Sequence, residues 1–263
     1  MSDSRRPRST VTTTPMGKVL PEASRRCNVS PAEPAAYRNV CGRVLRAGRM
    51  VRVVVHARVA RRPQSELVLR SAGECAGFLS AHKGEDWTQP IPDMTWSVRR
   101  AASHTAAGLL WYSADFTAGL PELSTMDPKF KEDSPPADLI RSIDTFARML
   151  AAVIDAAPPG ARGFHPAGNP DASGFAAIAC DEMLIHTDDA ARGLGADFIP
   201  SPDIAEATLR RIFPWAPRDL DPWTALRWAN GRIAVRGLEV AKSWRWHCAP
   251  LDEWDGTNPN SPG

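Results

Sequence analysis

The stretch Asp181-Glu182-Met183-Leu184-Ile185-His186-Thr187-Asp188-Asp189 sets a carboxylate and an imidazole four residues apart inside an apolar run. On an α-helix, positions i and i+4 lie one above the other on the same face. That face continues through Phe175, Ile178, Ala179, Glu182, Ile185, His186, Asp189 and Gly193, the 3.6-residue rhythm of a core-facing stripe. Ionisable groups on a buried stripe are costly unless they are paired or bind a metal. The stretch therefore predicts a helix with something seated between Glu182 and His186. Glu-x-x-x-His by itself fits a paired core histidine as well as a metal ligand.

A third donor lies upstream. Trp96 to His104 reads as the opening of another helix, with Ser97 or Thr95 available to cap its free N–H groups. His104 shares a face with Ala101, Ala107, Gly108 and Trp111, small residues that let a neighbouring helix come close. One His plus the Glu-x-x-x-His pair makes a His/Glu/His set, the three-ligand count of a catalytic zinc site that keeps one position open.

Two phrases carry a resemblance. Trp87 … Pro90-Ile91-Pro92-Asp93-Met94-Thr95-Trp96-Ser97-Val98 … His104 is followed, in order, by Asp181-Glu182 … His186-Thr187-Asp188-Asp189-Ala190-Ala191-Arg192-Gly193-Leu194-Gly195. Together they resemble the metal-binding domain of the mycothiol-dependent maleylpyruvate isomerase family, within the larger DinB-like group of four-helix bundles, over roughly residues 65–215. The resemblance implies His104, Glu182 and His186 as ligands of a divalent metal, usually zinc. It implies mycothiol, a low-molecular-weight thiol, as the second cofactor.

The organisation along the chain agrees with an all-α fold. Helices are expected at about 66–82, 97–118, 136–156 and 173–194. Lys83-Gly84, Gly119-Leu120-Pro121 and Pro158-Pro159-Gly160 end the first three, and Ser134-Pro135 caps the third. The polar stretch between the second and third is long for neighbouring helices. It predicts a crossover that lets them run parallel, within a four-helix bundle whose metal sites project inward. Ser201-Pro202-Asp203 opens a short fifth helix before Pro214. Residues 216–254 hold Trp223, Trp228, Trp244, Trp246 and Trp254 in a Pro/Gly-punctuated segment, expected as a short hairpin or extended cover over the bundle. Residues 255–263 are expected to be a disordered tail.

At 263 residues with 43% hydrophobic content, the chain has the makeup of a globular protein of one large or two small domains. No apolar run approaches the roughly 18 residues that cross a bilayer. No signal core stands at the N-terminus beyond the short Val51–Val55 run. Five cysteines (Cys27, Cys41, Cys75, Cys180, Cys248) without a C-x-x-C pair fit reduced thiols in a cytoplasm. The net charge of +2 hides an asymmetry. Residues 1–63 carry 14 Lys/Arg against 3 Asp/Glu, and the other 200 carry 18 against 27. Such an arm can bind nucleic acid or a membrane surface. Its aperiodic Pro, Ser, Thr and Arg are read instead as a disordered arm over 1–64, or an extension upstream of a start near Met50, with no nucleic-acid or membrane partner.

Among the remaining candidates, Asp189 sits three residues after His186 and is placed to accept from the imidazole N–H that faces away from the metal. By the resemblance Arg192 binds an anionic group of substrate or cofactor; a structural ion pair is the alternative. His247 and Cys248 have no partner at ligand spacing, and His56, His82 and His165 have no matching context. No phosphate loop and no Ser/His/Asp signature is present.

The resemblance implies a metal-dependent isomerase or S-transferase acting on a small electrophile with a thiol, a homodimer being compatible. A metal-dependent hydrolase and a non-catalytic, stress-related metal-binding protein are the alternatives. One departure stands out. The named isomerases carry a further C-terminal domain that contributes to the active site, whereas about 45 residues follow the fifth helix here.

Overall fold

The computed structural model describes residues 40–46, 49–55, 61–123, 125, 127–131, 133–238 and 244–258. The chain divides into two units, Met1–Ala57 and Arg58–Gly263. In the first, β1 (Val40–Arg46) and β2 (Arg49–Val55) pair antiparallel, with Val40 opposite Val55 and Arg46 opposite Arg49. No regular structure was expected there; the β-branched run Val51–Val55 favours extended backbone, and it has a partner strand. Residues 1–39 of the expected arm and 259–263 of the expected tail lie outside the described residues, as do the side chains of Cys27, Cys41 and His56.

The second unit is helical: α1 (Pro63–Ala81), α2 (Val98–Ala118), α3 (Pro136–Ala156), α4 (Ala172–Gly193), α5 (Pro202–Ile212) and α6 (Pro222–Ala229), with a single 3-10 turn at Leu251–Glu253. Each start has a local cause. Ser97 Oγ accepts from Arg100 N at 3.2 Å, Asp171 accepts from Gly174 N at 2.7 Å, and Asp221 accepts from Thr224 N at 2.9 Å. Gly119, at φ 77°, stops α2 in a conformation that favours glycine. Ser134 does not cap α3 as the sequence suggested. Its hydroxyl turns back to Lys131 O at 2.8 Å, and Pro135 takes the cap position before a first-turn proline.

The first four helices form a ring in the order α1, α3, α2, α4. Cys75 of α1 reaches Met183 O of α4 at 3.4 Å, while Ser65 Oγ, at the start of α1, donates to Asp155 near the end of α3 at 2.6 Å. Phe116, late in α2, packs on Phe175, early in α4, whereas His104, early in α2, meets His186, late in α4. Thus α2 opposes α4 in direction, and the 119–135 connection joins two helices, α2 and α3, that are neighbours in the ring. Leu109, Leu139, Ile143, Leu150, Ile154, Phe175 and Ile178 fill the centre. Burying each is worth ~1.5–3 kcal/mol.

Helix α4 departs from the amphipathic stripe read in the sequence. Every residue from Gly174 to Ala191 is buried, whichever face it occupies. Its acidic residues outside the stripe are covered by the segment after α5. Asp181 accepts from Asn230 Nδ2 at 2.8 Å and Trp246 Nε1 at 2.9 Å, and Asp188 pairs with Arg227 at 3.2 Å.

The Trp-rich segment also differs from the expected hairpin. Asp221-Pro222 is a cap followed by a first-turn proline, so Trp223 and Trp228 lie on α6, and Asn230-Gly231 is the turn that leaves it. Trp244 and Trp246 lie outside any regular element, their rings 5.3 Å apart. Among the described residues no helix is long and apolar enough to cross a membrane.

Candidate metal centre

His104, Glu182 and His186 converge. One potential ligand atom from each lies within 4.8 Å of the others, the one such His/Cys/Asp/Glu group among the described residues. Glu182 Oε2 stands 3.3 Å from His104 Nε2 and 3.2 Å from His186 Nε2. The two imidazoles meet edge to face, 4.9 Å between centroids at 87°. Their positions follow from the helices: α4 stacks Glu182 and His186 one turn apart, and α2, running the other way, brings His104 across to them.

Glu182 Oε2 is buried and accepts no hydrogen bond of acceptable geometry. A buried carboxylate oxygen with no well-formed hydrogen bond, facing two imidazole nitrogens at ion-pair distance, fits a divalent cation, which would satisfy all three at once. The other oxygen, Oε1, lies 3.4 Å from the Tyr112 hydroxyl, which donates to it. Burial alone would raise the Glu182 carboxyl; His104 and His186 outweigh it and hold it well below the usual carboxylate range.

Asp189 orients the histidine. Its Oδ2 lies 3.0 Å from His186 Nδ1, which donates to it and so turns Nε2 towards Glu182. Burial opposes charge on His186, yet the carboxylates of Asp189 and Glu182 raise its pKa to about 9. Asp189 itself has no solvent exposure. Burial would raise its pKa as well, but His186 and Arg232 hold it well below the usual range.

Arg192, open in the sequence to an anionic ligand or a structural ion pair, donates to Asp189 Oδ1 at 2.8 Å and to Pro92 O at 3.3 Å. It is not among the residues that line the cavity described next.

A cavity of about 690 Å³ opens beside His104. Its wall follows one face of α2 through Gly108 and Tyr112 to Asp115, roughly 16 Å of helix. Phe130 and Lys131 of the 119–135 connection and His165 line it as well. His104 is the exposed member of the cluster at 38% of its side chain, against 9% for Glu182 and His186, so the donors meet the cavity on the α2 side.

Four participants had no role in the sequence reading. Trp96 lies 4.8 Å from the His104 ring and 5.4 Å from that of His186. Tyr112 sits eight residues beyond His104 on the same face of α2, a spacing that helical periodicity could have revealed. His165, which has no matching context in the sequence, lines the cavity; Ala167 N donates to its Nδ1 at 3.0 Å, and burial pushes its pKa down to about 4. Arg232 clamps Asp189 from 43 residues away, and no local pattern announces it. His82 pairs with Glu85, and His247 contacts Pro250 O at 3.0 Å. Cys248 is buried with its sulfur 3.8 Å from His165 Nδ1, and burial pushes the thiol up to about 12.

No curated protein and no solved structure matches the chain. One family model does, the mycothiol maleylpyruvate isomerase N-terminal domain, over residues 68–191. That span contains His104, Tyr112, Glu182, His186 and Asp189 and stops short of Arg192, Arg232 and Trp246. Residues 68–191, the stretch that builds the three-donor cluster, are thus similar to mycothiol maleylpyruvate isomerase N-terminal domains.

Proposed function

We propose that this protein is a metal-dependent, thiol-using enzyme of the isomerase or S-transferase type, with mycothiol as its thiol and a small electrophile as its substrate. The observation that carries the reading is the buried Glu182 Oε2, without a well-formed hydrogen bond, between two imidazole Nε2 atoms beside a cavity of about 690 Å³. In this reading His104, Glu182 and His186 hold zinc, on a DinB-like bundle with the 119–135 crossover and the tryptophan-bearing segment as its cover.

A divalent cation held by this set supplies positive charge that keeps a sulfhydryl as thiolate at neutral pH. The chain's own residues do the rest. Asp189 keeps the Nδ1 proton of His186 in place, which leaves Nε2 free as a donor atom. Tyr112 holds Glu182 Oε1 and so leaves Oε2 directed at the histidines. Trp96 packs on both imidazoles and helps fix their orientation. The cavity along α2 is large enough for a thiol and an electrophile to be held together, which converts a bimolecular addition into an effectively unimolecular one. A thiol cofactor also suits a reducing cytoplasm, and the described cysteines Cys75, Cys180 and Cys248 are all free.

The test is cobalt substitution followed by a small thiol and then an electrophile. A sulfur-to-metal charge-transfer band on adding thiol, and thiol-dependent consumption of the electrophile, are expected. An unchanged cobalt spectrum with turnover of an ester or amide in the absence of thiol would transfer the assignment to metal-dependent hydrolysis. Metal binding with no turnover of any kind would favour the non-catalytic reading.

A further inference from the structure

Three buried carboxylates of α4 are each met by a donor from the segment after α5. Asp181 receives Asn230 and Trp246, Asp188 receives Arg227, and Asp189 receives Arg232. The last of these leads to the metal centre. Arg232 grips Asp189 through both oxygens, Nε to Oδ1 at 3.0 Å and Nη2 to Oδ2 at 2.9 Å. Its Nη1 donates to Asn230 O at 3.0 Å, so the guanidinium is fixed on all three nitrogens. Oδ2 is also the atom that accepts from His186 Nδ1 at 3.0 Å.

A fully buried carboxylate is stable only when paired and well hydrogen-bonded. Arg192 serves Oδ1 alone. Without Arg232, Oδ2 would keep the imidazole as its one charged partner and Oδ1 would keep Arg192 alone, so each oxygen would be held by a single bond. The two-pronged planar grip of an arginine removes that freedom, which a lysine cannot do.

We propose that Arg232 is a positioning residue of the metal centre: it locks Asp189, and through Asp189 the ring orientation and Nδ1–H tautomer of His186. The segment after α5 is then part of the site, although the family domain ends at Ala191. This rests on the metal-centre reading above.

The experiment compares the full-length chain with Arg232→Met, Arg232→Lys and Arg227→Met. Arg227 anchors the same segment to the same helix but touches Asp188, which does not contact His186 in any described hydrogen bond. Three quantities are read: zinc affinity by chelator competition, the ligand-field spectrum of the cobalt form, and the His186 Nδ1–H proton resonance of the metal-free protein. Arg232→Met is expected to weaken zinc about 10- to 100-fold, move the cobalt bands and shift or broaden the Nδ1–H signal. Arg232→Lys should recover part of the affinity, since it restores the charge and not the fork. Arg227→Met should lower the melting temperature and leave all three readouts unchanged.

If Arg232→Met and Arg227→Met lower the melting temperature alike while zinc affinity and cobalt spectrum stay as in the parent, Arg232 is only a structural clamp and the proposal is overturned. If the parent chain binds no zinc, the metal reading itself fails, and the metal-free resonance decides: an Nδ1–H signal unmoved in Arg232→Met overturns the positioning role, and its loss upholds it.

Discussion

Asp189 accepts the Nδ1 proton of His186 at 3.0 Å from a position with no solvent exposure, and the same imidazole turns its Nε2 to Glu182 at 3.2 Å. In the metal-free protein this double embrace keeps His186 protonated to about pH 9, against 6.5 for an ordinary histidine. Its contribution to stability is complete below the unfolded value and is lost as pH rises through the folded one. Glu182 and Asp189 are shifted the other way, so their contributions hold above the usual carboxylate range and are lost as pH falls below it. The metal-free protein should therefore melt highest at about pH 5 to 6.5 and decline towards pH 9. Loading a divalent metal near pH 7 must expel the His186 proton, so affinity should rise with pH. Titration calorimetry in two buffers of different ionisation enthalpy measures the release; no proton released at pH 7 would rule this out.

Removing a donor should empty the site without unfolding the helices. His104→Ala and His186→Ala are expected to lose stoichiometric zinc while far-UV circular dichroism stays close to that of the parent, because the core of Leu109, Leu139, Leu150 and Phe175 contains no metal contact. Glu182→Gln should weaken binding by replacing an anionic oxygen with an amide. Asp189→Asn should act through His186, at about 10- to 100-fold. One tight zinc per chain in both histidine variants would overturn the ligand set.

Gly174 marks a close approach of two backbones. A Cβ there would run into the carbonyl oxygen of Cys248 and stand 2.7 Å from Pro170 Cβ, so the chain at Cys248 would have to retreat. Gly174→Ala is expected to cost about 1–3 kcal/mol and to hasten proteolysis in the segment after residue 238. An unchanged melting temperature would show that the segment shifts freely.

The described thiols should be silent. Burial pushes Cys75, Cys180 and Cys248 up to about 12, so almost no thiolate exists at pH 8. Alkylation of these three in the native protein should be slow and become fast in denaturant, as peptide mass mapping would record. Rapid native alkylation of Cys248 would mean that the cavity reaches it.

Deleting Met1–Ala57 removes a separate unit and no donor of the cluster. The shortened chain should keep its zinc content and melting behaviour. Insolubility or loss of metal would show that the basic region supports the helical unit.

The three-donor cluster was legible because its information is local. Glu182 and His186 are one helical turn apart, and His104 lies on a helix with a clear cap at Ser97 and a stop at Gly119. What escaped detection depends on partners distant in the chain. Asp181 and Asp188 fall outside the apolar stripe, and a solvated carboxylate and one paired with Asn230 or Arg227 look alike in a sequence. Helix α6 is only eight residues long, too short for periodicity to outweigh its aromatic composition. Arg232 sits in a turn with no pattern at all, and only the folded chain brings it to Asp189.

Because α4 has no free face from Gly174 to Ala191, the buried donors and the cavity beside them differ in how freely they can change. A substitution on α4 disturbs a neighbour whichever way it points, so Glu182 and His186 stand on a rigid anvil. The cavity is walled by α2 and the 119–135 connection, where Trp111 is 37% exposed and Lys131 faces solvent. New substrate preferences should arise by altering that wall, with the anvil left as it is. Libraries built at Trp111, Phe130 and Lys131 are the place to look for them.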